Sequence, residues 1–211
     1  MSFDNLNIVL MGSNFPIDTI RATDFAFPNA VVDMPRLPMV AIVQAAPFIL
    51  QVLPVRFQVS ATTGDNLEDT GAILVRNALI FCEEYIGPRA VTAVGHNMQS
   101  HILVSRLSRT EIHQRLFNVD TVRALVDDEH DLLADAVLQF KRGSADYVRL
   151  SVITTGAPPD RVVVDFNFNF DMGGDRALPL REVIQLFPES LTIAQDLSER
   201  LPAVLDMQEA R

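Results

Sequence analysis

Asp165-Phe166-Asn167-Phe168-Asn169-Phe170-Asp171 alternates polar and aromatic residues without a break. Alternation at period two is the mark of a β-strand with two unlike faces. Phe166, Phe168 and Phe170 require a core. Asp165, Asn167 and Asn169 set carboxylates and carboxamides in a row on a rigid element, where they could floor a ligand groove. Arg149, from a neighbouring strand, and His96 are the groups that could complete such a groove, the first as an anion partner and the second as a proton carrier. The same row also suits a solvated sheet face or a seam with a partner. Its Asp-x-Asn-x-Asn-x-Asp spacing is that of a calcium loop, but that loop needs glycine at its sixth position for the sharp turn. Phe170 stands there, and an extended strand cannot wrap one ion.

The segment Gly95-His96-Asn97-Met98-Gln99-Ser100-His101 is the densest polar set. Two histidines five apart would point to opposite faces of a strand, which opposes joint metal ligation. The reading is His96 as a sheet residue and His101 in the loop that follows. Cys82 lies beside Glu83 and Glu84, two carboxylates that disfavour a thiolate. The run Asp127-Asp128-Glu129-His130-Asp131 reads as a solvated turn. The chain has no G-x-x-x-x-G-K-S/T loop, no G-x-G-x-x-G loop and no G-x-S-x-G elbow. No cofactor and no metal centre are implied.

The formal net charge of the 211 residues is -10, which opposes general nucleic-acid binding. Lys141 is the only lysine among seventeen cations, so positive charge here is almost all arginine. The single cysteine rules out an internal disulfide and fits a reducing, cytoplasmic setting. No Lys or Arg precedes Arg21, so there is no signal-peptide n-region. Residues 1–64 carry only Asp4, Asp18, Arg21, Asp24, Asp33, Arg36 and Arg56 as charges. Such a segment must be covered, by this chain or by another. The uncharged run Leu37 to Val55 is not a membrane helix, because Pro38, Pro47 and Pro54 interrupt it.

These residues imply a set of positioning elements. Strands are expected at 7–11, 39–45, 48–53, 55–61 and 90–97, with a proline-punctuated arm at 14–35 available to wrap a neighbour. A helix capped by Asp65 or Asn66 runs to Tyr85 and stops at Gly87-Pro88. Short helices follow at 108–117 and 120–126. Strands 134–141, 146–155 and 161–171 form an antiparallel meander. Helices from Pro179 to Phe187 and from Pro188 to Leu205 come last, and Pro202 kinks or ends the second.

The fold expected is therefore α+β, an antiparallel sheet with helices on one face and a C-terminal meander followed by helices. It is read as one domain over residues 1–211, with a division into 1–105 and 106–211 as the alternative. No residue-level repeat is visible. The function expected is non-catalytic assembly or protein-protein interaction, as a homo-oligomer or complex subunit, with the charge-poor N-terminal region as the contact. An enzyme or small-ligand binder using His96, Arg149, Asp165, Asn167 and Asn169 is the alternative.

Overall fold

The computed structural model describes residues 3–29, 31–33, 39–62, 66–86, 90–103, 111–112, 136–155, 161–173 and 178–206. Nine strands form one antiparallel sheet. They are β1 (Phe3–Gly12), β2 (Val32–Asp33), β3 (Ala41–Ala45), β4 (Phe48–Leu53), β5 (Arg56–Thr62), β6 (Val91–Leu103), β7 (Ala136–Phe140), β8 (Tyr147–Thr155) and β9 (Arg161–Asp171). Their order across the sheet is β2-β3-β4-β5-β1-β6-β9-β8-β7. Helix α1 spans Leu67–Phe81 and continues as a π turn, Cys82–Ile86. Helices α2 (Leu180–Gln185) and α3 (Phe187–Asp206) close the fold.

Alternation decides which face the helices take. Leu6, Ile8 and Leu10 of β1, Phe57 and Val59 of β5, and Phe166, Phe168 and Phe170 of β9 are all buried to within 1%. Helix α1 packs on β1 and β5, and α3 packs on β6 and β9. Phe81 of α1 stacks on Phe57 with ring centroids 4.1 Å apart. Asn66 caps α1, its Oδ1 accepting from the Asp69 N–H at 3.1 Å, as a first-turn donor requires. Leu191, Ala194 and Leu201 supply the buried stripe of α3.

The topology is two-fold. A long strand, a three-stranded meander and a helix occur as β1, β3-β4-β5, α1 and again as β6, β7-β8-β9, α3. The last strand of each meander pairs with that half's long strand, and β1 and β6 pair antiparallel at the centre. Asn7 and Asn97 face each other there. From Asn7 the register runs to Ser60 and Ile49, and from Asn97 to Asn167 and Arg149. A two-fold exchange of Asn7 with Asn97 thus exchanges Ser60 with Asn167, Ile49 with Arg149, and Leu6 with His96. The two sets of elements meet between Ile86 and Val91 in the described chain.

Several expectations shift. Strand β6 runs to Leu103, so Gln99, Ser100 and His101 belong to the strand and not to a loop. The reason is pairing: β9 offers partners out to Arg161, and they hold β6 extended past Asn97. Helix α3 carries Pro202 within it and continues to Asp206. The arm does not reach outward over residues 13–29. Phe15 packs edge-on against Phe81 at 5.4 Å, and Phe25 stacks on Tyr85 at 6.0 Å. The Ala26 N–H also donates to the buried Asn77 Oδ1 at 2.8 Å. Phe15, Ile20, Ala22 and Phe25 are buried there, while most residues between them are exposed. The helices expected at 108–117 and 120–126 and the turn at 127–131 lie outside the described residues, apart from the helical pair Glu111 and Ile112. Among the described residues, no helix is long and apolar enough to cross a membrane.

Candidate functional site

The sheet face opposite the helices is open, and the middle of its second half is polar, with Val137 and Ile153 beyond it. Asp165, Asn167 and Asn169 of β9 sit there half-buried, and Arg149 of β8 is exposed among them. Register places Arg149 directly across from Asn167, Ser151 from Asp165 and Tyr147 from Asn169. These groups line a hollow of ≈ 490 Å³ together with Asn5, Asn7, Asn97 and Gln99. The volume falls in the range of small-molecule sites.

Hydrogen bonds fix the floor. Asn167 Nδ2 donates to Asn97 Oδ1, and Asn97 Nδ2 donates to Asn7 Oδ1 at 2.7 Å. Three amides on three strands thus form one directed chain. Beside it, Gln99 Nε2 donates to Asp165 Oδ1 at 2.8 Å. The Arg149 guanidinium makes no ion pair among the described residues. Its fork of donors is free to meet a ligand.

Four of the five expected site residues, Arg149, Asp165, Asn167 and Asn169, are therefore brought together. His96 is not. It belongs to the buried face of β6, fully covered by α3. Its Nδ1 lies 3.0 Å from Ser190 Oγ, and Phe170 and Phe187 pack on its ring at 4.8 Å and 5.3 Å. Burial pushes its pKa down to about 3, so the imidazole is neutral. The cause of the misplacement is parity: Asn97 and Gln99 share the open face, so His96 must share the other with Val94 and Met98. His101, of open-face parity, meets Asp4 of β1 instead. Cys82 is buried and its thiol is pushed up to about 12 by burial and by Glu83, which leaves it a core residue.

The sequence also signalled residues that were not singled out. Asn5-x-Asn7 and Asn97-x-Gln99 have the same period-two spacing as the β9 row. The missing information was register, which aligns these three rows in adjacent strands. Among the described residues, no group of three metal-binding side chains converges. Compared with known proteins, the chain matches no family model, no curated protein and no solved structure.

Proposed function

We propose that this protein is a non-catalytic assembly protein that self-associates through the first half of its open sheet face. The observation that carries this reading is the surface there. Met11 and Ile49 are 39% and 36% exposed, with Leu53 half-buried on the same face and Val55 exposed in the adjoining β4–β5 turn. Arg56 is the one charge on β4 and β5, and it is engaged with Gln58. A chain of net charge -10 repels its copies, so contact is least costly where charge is scarcest. A charge-poor patch on a rigid sheet, with Met11 and Ile49 exposed among uncharged glutamines, meets that condition. A single buried cysteine is compatible with a cytoplasmic setting.

Catalysis through His96 loses its support, because that ring lies beneath α3 and away from the polar hollow. Sedimentation velocity tests the assembly reading. Ile49→Arg with Met11→Arg is expected to shift the protein to the 23.4 kDa species. Asn167→Arg with Asn169→Arg, in the other half, is expected to leave the oligomer intact. The reverse pattern would move the contact to the polar half and overturn the assignment.

A further inference from the structure

The halves of the open face share a backbone and differ in chemistry. Val9, Ser60 and Ile49 of the first half correspond to Gln99, Asn167 and Arg149 of the second. The charge-poor version suits a protein contact. The polar version lines the hollow, and its occupant can be argued from charge and hydrogen-bonding capacity.

We propose that the Arg149 hollow binds a neutral saccharide through its hydroxyl groups. Six carboxamides line it, and its only charged groups are Arg149 and Asp165, whose formal charges cancel. An anionic ligand would pair with the guanidinium but face Asp165, and the adjoining hollow adds Asp146 and Asp171. A cationic ligand would face Arg149. A neutral polyol meets neither repulsion, and each hydroxyl both donates and accepts. A carboxamide presents a donor and an acceptor side by side, which matches two neighbouring hydroxyls of a sugar ring. The Arg149 fork suits two hydroxyl oxygens, and Asp165 suits hydroxyl protons.

Preorganisation supports the same occupant. The chain from Asn167 through Asn97 to Asn7 holds three amides in one direction before any ligand arrives. Each keeps a second N–H, and Asn167 keeps its Oδ1, for the ligand. Asn5 Oδ1, at the edge of the same hollow, is a buried acceptor without a partner. Tyr147 is half-buried in the wall, where its ring can lie against the C–H face of a sugar. An amino acid would use Arg149 and Asp165 and leave the amides idle. The two sites meet at β1, but Arg149 on β8 and Ile49 on β4 stand five strand spacings apart, roughly 24 Å.

The test is an NMR titration of the full chain with D-glucose, D-galactose, D-mannose and N-acetyl-D-glucosamine, with glycine and glutamate as charged controls. At least one sugar is expected to give saturable shifts at the Asn97, Asn167 and Gln99 side-chain amides, with millimolar affinity. Glycine and glutamate are expected to give none. Arg149→Gln is expected to weaken sugar binding by roughly tenfold or more, and so is Asn169→Ala. Both alter one exposed or half-buried group each, so an unchanged melting temperature accompanies the loss. Gln44→Ala, in the first half, is expected to leave binding unchanged. No saturable shift with any of the four sugars, binding that survives Arg149→Gln, or a preference for glutamate or glycine would overturn the proposal.

Discussion

Asn97 donates to Asn7 across the β1–β6 seam at 2.7 Å, and these two asparagines stand at the pivot of the two-fold topology. On either side of them the same strands repeat, but the side chains do not. The backbone symmetry keeps one face buried in both halves and lets the other face diverge.

That two-face division predicts unequal costs for neighbours in β9. Phe168 is 1% exposed between sheet and helices, so Phe168→Ala is expected to cost about 3–5 kcal/mol. Asn167→Ala removes one half-buried amide contact and is expected to cost about 1 kcal/mol. Chemical denaturation measures both. Equal losses would contradict the assignment of faces.

His96 predicts a pH dependence. Its folded pKa is lowered by burial to about 3, from the ordinary imidazole value of 6.5. Between these values the unfolded chain binds the proton and the folded chain does not. The stabilisation is therefore full above pH 6.5 and is lost as pH falls toward 3, on the order of 1 kcal/mol per pH unit. Leu6 holds the equivalent place in the first half. His96→Leu is expected to fold and to flatten this part of the acid limb, followed by thermal unfolding from pH 7 to pH 4. An unchanged slope would show that His96 is not the titrating group.

Helix α3 is expected to be indispensable. Its Leu191, Ala194 and Leu201 cover β6 and β9, and Glu189 Oε1 accepts from the Ser144 N–H at 2.9 Å to hold the β7–β8 turn. A chain ending before Ser190 exposes Phe168 and Phe170 and is expected to aggregate. A soluble product with a cooperative melt would mean that the sheet is stable without this cover.

Much of the fold was legible because period two and period 3.6 are local. The strand from Arg161 to Asp171, the cap at Asn66 and the buried stripe of α3 could be read from neighbouring residues alone. The two-fold order of elements was not legible in residue identity. Alternation constrains polarity and leaves identity free, so Leu6 and His96 can share a role without resembling each other. The site was half legible for a related reason. Asp165, Asn167 and Asn169 announce one face, but only register decides that Arg149 joins them. His96 was lost to parity within its own strand. Low charge in the arm does not say what covers its aromatic residues, and for Phe15 and Phe25 it is Phe81 and Tyr85.

Native mass spectrometry of the purified wild-type chain tests the assembly claim most directly, since it reports subunit number. The account predicts an integer multiple of the 23.4 kDa chain that gives way to single chains in the Met11→Arg, Ile49→Arg variant. A wild-type protein that is a single 23.4 kDa chain at micromolar concentration would contradict it.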